Sequence, residues 1–193
     1  MLHLQLETDP RWANLAESNI EEILTDHAWC EQKAATSAIT LITQNPEYPD
    51  MVTELLEIAQ EELEHFQMVH DIIKARGYKL GPERKDSYVH ELFKFMNKGG
   101  NRIQRMVDKL LLSAMIEARS CERFKLLSNT IKDEELAKFY YDLMVSEASH
   151  YTTFITFARK YGKGVDVEKR WKQLVEFEST IIKSYGTGDS LHG

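Results

Sequence analysis

Two short motifs with the pattern Glu-x-x-His are the residues of this sequence best suited to chemistry. They are Glu62 with His65 and Glu147 with His150, each in a long segment without Pro or Gly. Residues three apart lie on one face of a helix, so each carboxylate is placed beside an imidazole. Both groups bind metal ions in proteins, and two such pairs therefore predict a metal site.

The residues around each motif predict that both pairs face a core. Steps of three and four from Glu62 meet mostly apolar residues, whereas the same steps from neighbouring Glu61 meet further glutamates. The steps from Glu147 meet aromatic residues, Leu and Met. Carboxylates and imidazoles are costly to bury without partners, and a metal cation would supply the compensating charge.

A dinuclear centre of the ferritin-like kind needs one further glutamate from each of two other helices. Glu31 suits the first position because its helical neighbours include several alanines that leave room for metal. Glu117 suits the second better than Glu122, because Glu117 has the more apolar neighbours. The interval from Glu31 to Glu62 also matches that from Glu117 to Glu147 to within one residue, as if one helix pair were used twice.

Other polar residues near these positions allow two interpretations each. His27, one turn before Glu31, could support the metal site or be a hydrogen-bonded core histidine. Arg119 could pair with an inward carboxylate or extend to solvent. Tyr140 and Tyr151 could line a substrate pocket or pack in the core.

Composition indicates a single, mostly helical domain. The chain has 193 residues with 9 Gly and 4 Pro, and its formal charge of −7 does not favour nucleic acid as a partner. Cys30 and Cys121 form no CxxC motif and are expected to be small buried thiols rather than redox groups. No signal peptide or apolar run of membrane-spanning length is found, and a cytoplasmic location is expected.

The pattern of apolar residues, caps and breaks predicts a four-helix bundle with a long crossover between its helix pairs. Ser18 and Glu21 form a capping-box signature before the first bundle helix, and Asn129 with Thr130 forms a turn between the last two. The predicted elements are an N-terminal arm at 1–17, bundle helices at 18–44, 51–76, 101–127 and 133–161, a C-terminal helix at 166–183, and a loose tail at 186–193.

Four segments carry a resemblance to a known family. They are DHAWCEQKAA (26–35), EELEH (61–65), IEARSCERF (116–124) and SEASHY (146–151). Together they resemble the MiaE-like tRNA hydroxylases, which act on 2-methylthio-N6-isopentenyladenosine, and the resemblance extends over nearly the whole chain.

The resemblance implies a ferritin-like di-iron monooxygenase that hydroxylates the isopentenyl group of this adenosine in tRNA, using O2 and two electrons from a reductase. It also implies that six residues hold the two iron ions, with no departure from the family at these positions: Glu31, Glu62, His65, Glu117, Glu147 and His150.

Two clusters of basic residues are candidate tRNA contacts, although runs of charge are more often simply solvated. The first is Lys94, Lys98, Arg102, Arg105 and Lys109, and the second is Lys160, Lys163, Lys169, Arg170 and Lys172.

Two other classes of function are compatible with the same scaffold. One is a ferroxidase or a rubrerythrin-like peroxidase, although a second CxxC-bearing iron domain is missing from the sequence. The other is an iron-free helical adaptor, which would leave the six polar residues without a physical purpose.

Overall fold

The protein is described by a computed structural model that places residues 4–96 and 99–185. Over these residues the chain forms seven α-helices and no β-strand, which confirms the predicted all-α class. The predicted tail lies outside the described residues. The helices are α1 (Arg11–Ser18), α2 (Ile20–Gln44), α3 (Pro49–Ala75), α4 (Ser87–Phe93), α5 (Arg102–Thr130), α6 (Glu134–Tyr161) and α7 (Val167–Tyr185).

Three of the long helices begin at residues that suit a helix N-terminus. The side chain of Asn101 accepts the backbone N–H of Gln104, whose own side chain accepts the N–H of Asn101, so α5 starts with a capping box. The Asp133 carboxylate accepts the N–H of Leu136 at 3.0 Å before α6. Pro49 is the first residue of α3, where its missing N–H costs nothing. Such caps satisfy donors that a first turn leaves unbonded.

Two of the local predictions are wrong. Ser18 is the last residue of α1, so its helical backbone cannot cap α2, and Asn19 occupies that position instead. Asn129 and Thr130 are still helical, because α5 continues to Thr130, whose hydroxyl donates to the carbonyl of Leu126 at 2.7 Å. The turn before α6 therefore lies further along the chain than predicted.

The described residues divide into two compact units. The first combines the described parts of Met1–Leu15 and Asp86–Gly193, and the second is Ala16–Lys85. The single-domain organisation stays a prediction.

The second unit is built on the hairpin of α2 and α3. A short turn joins the two helices, and their apolar stripes are buried, including Leu41 and Leu55. Trp29 of α2 lies 6.0 Å from Phe66 of α3 between ring centroids, and its indole N–H donates to the carbonyl of Gly81 at 2.9 Å. That bond ties the segment after α3 back onto α2.

The first unit is built on the hairpin of α5 and α6, with α7 packed on α4 and α5. Arg170 of α7 donates to both oxygens of Asp108 at 2.7 and 2.9 Å and to the carbonyl of Phe95 at 2.8 Å. Further along α7, Glu178 accepts the hydroxyl of Tyr88 at 3.1 Å. These bonds fix α7 against α4 and α5. In each unit, a Glu-x-x-His motif lies on the second helix of the main hairpin.

Candidate metal centre

The second unit brings two carboxylates and one imidazole together. Glu31 on α2 and Glu62 and His65 on α3 are all buried, and their possible ligand atoms lie within 4.8 Å of one another. His65 Nδ1 lies 3.6 Å from Glu62 Oε2 and 3.7 Å from Glu31 Oε2. We call these three residues the α2–α3 half-site.

Helical spacing and small neighbours explain this arrangement. Glu62 and His65 are three residues apart on α3 and point to its buried face, while the Glu61 side chain is 47% exposed. On α2, Ala28 and Ala35 lie one turn on either side of Glu31 and are also buried. Their methyl groups leave the space that the Glu31 carboxylate occupies.

The carboxylates and imidazoles in and beside this half-site shift one another's pKa. Burial by itself would raise the pKa of Glu31, but hydrogen bonds with Glu62 and His27 and the charge of His27 outweigh it and hold the pKa well below its usual range. Burial would lower the pKa of His65, but hydrogen bonds to Glu31 and Glu62 raise it to about 10. The carboxylates therefore favour a positive charge between them, which a proton on His65 or a metal cation can supply.

His27 contacts the half-site directly. Its side chain is fully buried, and its Nε2 lies 2.5 Å from Glu31 Oε1. The sequence left open whether His27 is a hydrogen-bonded core histidine or supports the metal site. The geometry agrees with both, because His27 is buried and its hydrogen-bond partner Glu31 is a candidate metal ligand. One oxygen of Glu31 is thereby held, while the other faces His65.

The first unit forms a second cluster of the same composition. Glu117 on α5 and Glu147 and His150 on α6 are buried, and their possible ligand atoms lie within 4.8 Å of one another. His150 Nδ1 and Glu147 Oε2 are 4.0 Å apart. We call these residues the α5–α6 half-site. Each unit thus brings together the three candidate ligands that the sequence assigned to its helices.

Glu122, the rejected alternative to Glu117, has a different role. Its carboxylate accepts the backbone N–H and the hydroxyl of Thr8, both at 2.6 Å, and pairs with Arg119 at 2.8 Å. Arg119 is fully buried and also donates twice to Glu178, at 3.0 and 2.6 Å. Arg119 therefore pairs with inward carboxylates, the first of its two interpretations.

Sequence reasoning missed this buried ion-pair network, which links α5, α7 and the residues before α1. The available signal was Glu178, a glutamate on the apolar stripe of α7 between Leu174 and Ile181. Its partner Arg119 is distant in sequence, and only packing brings the two together.

Tyr140 and Cys121 are structural residues, and the predicted buried thiol is confirmed at Cys121 but is wrong at Cys30, which is only partly buried. Tyr140 is fully buried, with ring centroids 5.4 Å from those of both Phe124 and Phe139. Cys121 is buried and its thiol donates to the carbonyl of Met144 at 3.3 Å, while burial raises its pKa to about 11. Such a thiol has little thiolate at neutral pH, as expected for a structural cysteine.

Several residues of the first basic cluster have internal contacts. Lys94 pairs with Glu91, and the Arg105 guanidinium donates to the carbonyl of Gly100. Burial and the charge of Arg105 lower the pKa of Lys109. Lys98 lies outside the described residues.

In the second cluster, Arg170 is a structural residue. Besides its bonds to Asp108, its guanidinium carbon lies 3.7 Å from the centre of the Phe95 ring. The Lys160 ammonium lies 5.4 Å from the Tyr161 ring centre. Lys163, Lys169 and Lys172 are exposed.

Each half-site fits a divalent transition metal by its donor chemistry. Two carboxylates and one imidazole form a hard set of ligands rich in oxygen, which suits Fe(II) or Mn(II) better than copper or a structural zinc. Both clusters are buried, so a bound cation would offset the cost of removing the acids from water. The two half-sites indicate metal binding.

Comparison with known proteins agrees with this chemistry. The family model described as tRNA-(MS[2]IO[6]A)-hydroxylase (MiaE) matches residues 1–193. The chain belongs to the MiaE family. The predicted family is thus confirmed, and with it the prediction of an enzyme.

Two curated relatives carry the same name, tRNA 2-(methylsulfanyl)-N(6)-isopentenyladenosine(37) hydroxylase. The protein from Pseudomonas putida is 35% identical over 177 residues, which cover 92% of this chain and 85% of that protein. The protein from Salmonella typhimurium is 28% identical and aligns with 86% of this chain and 77% of its own length.

A solved structure from Synechococcus, described as protein 43 with aldehyde deformylating oxygenase activity, has a TM-score of 0.90 and 33% identity to this MiaE-family chain. The match covers 98% of this chain and 95% of that one. It confirms the predicted ferritin-like fold. Among the described residues, no helix is long and apolar enough to cross a membrane.

Proposed function

We propose that this chain is an O2-dependent di-iron monooxygenase that hydroxylates the isopentenyl group of 2-methylthio-N6-isopentenyladenosine in tRNA. The observation that carries the proposal is the match of the whole chain to the MiaE family. The names of the two bacterial relatives support the substrate, and the two buried clusters of carboxylate and imidazole support the chemistry.

In this proposal, six residues hold two iron ions, and three of these residues come from each half-site. The ligands are Glu31, Glu62, His65, Glu117, Glu147 and His150. Two features support the assignment: each half-site has the same composition, and each takes its lone glutamate from the first helix of a hairpin and its Glu-x-x-His motif from the second. This is the ligand pattern of ferritin-like di-iron proteins.

Iron held by these residues would supply the activation of O2 for insertion of one oxygen atom into a C–H bond, and two electrons and two protons would reduce the other atom to water. The chain's own residues prepare the site. Burial of the carboxylates strengthens their attraction for cations, and the hydrogen bond from His27 orients Glu31. His65, whose pKa is raised between Glu31 and Glu62, is expected to lose its proton when the metal binds.

The proposal includes two further components. An electron-donating reductase must supply the two electrons, and the exposed lysines of the second basic cluster are candidate contacts for tRNA phosphates. A cytoplasmic location fits an enzyme that acts on tRNA.

A second candidate is O2-dependent deformylation of an aldehyde, because the Synechococcus protein combines 33% identity with an aldehyde deformylating oxygenase activity. Both activities would use the same buried ligands. They differ in the substrate, so a direct comparison of substrates separates them.

The test uses iron-loaded protein, a chemical or enzymatic reductant and O2. One reaction contains tRNA carrying the methylthio-isopentenyl modification, and a parallel reaction contains a long-chain aldehyde. We expect mass analysis of the tRNA nucleosides to show a gain of one oxygen atom, with no loss of formate from the aldehyde. Deformylation of the aldehyde with unchanged tRNA would refute the proposed substrate. Unchanged hydroxylated adenosine in cells that lack the gene would refute it independently.

A further inference from the structure

A groove between α6 and α7, in the first unit, lies on the flank of the helix that carries Glu147 and His150. Its volume is about 450 Å3. Tyr151, Ile155 and Trp171 line it together with Val167, and its polar lining includes Lys172. None of the six candidate metal ligands lines this groove.

The groove exists because α7 packs mainly on α4 and α5 rather than on α6. Its buried residues and the bonds of Arg170 to Asp108 and Phe95 fix α7 against α4 and α5. At Gly162 the chain turns tightly, and a Cβ there would lie only 2.8 Å from Cγ2 of Val167, the first residue of α7. The two helices are thus held close at the turn but leave space between them along their length.

The floor of the groove is aromatic. The ring centroids of Tyr151 and Trp171 are 5.9 Å apart, with an angle of 56° between the ring planes. Tyr151 is half-buried and Trp171 is 9% exposed, so each presents part of a ring to the groove. Ile155 and Val167 complete an apolar surface beside them. Such a surface suits a flat ring, because nucleobases stack on aromatic side chains with little sequence preference.

The charged side chains that line the groove are Arg159, Glu168 and Lys172. Arg159 is paired with Glu168 at 2.7 Å, so the charges of these two residues offset each other. Lys172 therefore gives the lining a net positive charge, which suits a phosphate group.

We propose that the α6–α7 groove binds one unpaired nucleotide of the tRNA substrate, with its base against Tyr151 and Trp171 and its phosphate at Lys172. This inference rests on the proposed function and specifies where the substrate is held. The bound nucleotide is a neighbour of the modified adenosine, because Tyr151 directly follows His150 but faces the groove. A helix of about 10 Å diameter separates the two faces of α6, which a few nucleotides can span.

The first test fills the groove without disturbing its buried floor. Thr156 is exposed, lines the groove, and donates its hydroxyl to the carbonyl of Thr152 at 2.8 Å. Thr40 on α2 is a matched control, because it is also exposed and donates its hydroxyl to the carbonyl of Thr36 at 2.8 Å. We expect Thr156→Phe to raise the KM for modified tRNA by about tenfold or more with little change in kcat, and Thr40→Phe to leave both unchanged.

The second test addresses the phosphate contact. Lys172→Glu and Lys85→Glu change the net charge equally, and Lys85 is exposed in the other unit. Binding of an anticodon stem-loop RNA is measured as a function of salt. We expect Lys172→Glu to weaken binding about tenfold more than Lys85→Glu and to reduce the slope of log K against log salt by about one. Equal effects of the two substitutions would refute a specific contact.

A third measurement reports on the floor itself. In protein labelled with fluorotryptophan, the signal of Trp171 is assigned with Trp171→Phe, and the same RNA is then added. A saturable shift of that signal, lost in Thr156→Phe, is expected. An unmoved signal, or a KM unchanged in Thr156→Phe while the wild-type protein hydroxylates tRNA, would refute the groove and leave the proposed function intact. Failure of the wild-type protein to hydroxylate tRNA would refute the proposed function, while the RNA titration would still decide on the groove.

Discussion

Removing the buried charge of Arg119 should strongly destabilise the protein. Its guanidinium is fully buried and bonds to Glu178, Glu122, Thr8 and the carbonyl of Leu6. Arg119→Met keeps much of the side-chain volume but leaves the Glu178 carboxylate buried without its cation. Breaking a buried pair in this way costs about 3–5 kcal/mol. For a chain of this length, that corresponds to a decrease in Tm of roughly 6–20 °C.

The matched control is an exposed pair of similar geometry. Arg159 and Glu168 are 2.7 Å apart, but their side chains are 57% and 66% exposed. Arg159→Met should therefore cost no more than about 1 kcal/mol. Both variants are compared with the wild type by urea denaturation in the presence of a chelator, so that differences in bound metal do not contribute.

A double-mutant cycle identifies the cause of the loss. Glu178→Gln removes the negative charge but keeps an acceptor for the hydroxyl of Tyr88. In the Arg119→Met background, this second substitution should recover at least about 1 kcal/mol, because it removes the buried negative charge of Glu178 that the first substitution left without its cation. The reasoning is refuted if Arg119→Met costs as little as Arg159→Met, or if the two substitutions at 119 and 178 are simply additive.

Three further predictions concern the candidate metal centre and the thiols. Glu62→Ala should abolish retention of iron after anaerobic loading while the protein stays helical. Glu61→Ala should retain iron, because Glu62 is buried beside other candidate ligands whereas the Glu61 side chain is 47% exposed. A Glu62→Ala protein that still binds iron would show that the ligand assignment is mistaken. His27→Ala should weaken metal binding by about 10–100-fold in a metal titration, because Glu31 loses a buried hydrogen bond, and an unchanged affinity would exclude this positioning role. Burial raises the pKa of Cys121 from 9.0 to about 11, so alkylation of this thiol at pH 8 should be roughly 100-fold slower in native than in unfolded protein. The rate in native protein should increase as the pH rises toward 11. Rapid alkylation of native protein at pH 8 would contradict this prediction.

The sequence by itself determined the helices and the contents of each half-site. Both depend on interactions over three or four residues, which a periodic pattern records directly. Glu62 and His65 share a face because of their spacing alone, and the apolar neighbours of Glu117 distinguished it from Glu122. The family resemblance added the substrate, which no spacing rule could supply.

Local patterns were less reliable where two signals competed. The capping signature at Ser18 is overridden because that residue completes α1, and Thr130 extends α5 past the predicted turn by bonding to its own helix. A short motif indicates which caps are available, but the neighbouring helix decides which one is used.

Only the tertiary structure decided which distant residues meet. Glu178 and Arg119 lie on different helices and are paired because both are excluded from water. Arg170, which the sequence offered only as a candidate tRNA contact, binds Asp108 and fixes α7. The α6–α7 groove likewise depends on where α7 packs. Helix periodicity specifies which face of a helix is apolar, whereas the partner of that face depends on packing between segments far apart in the chain.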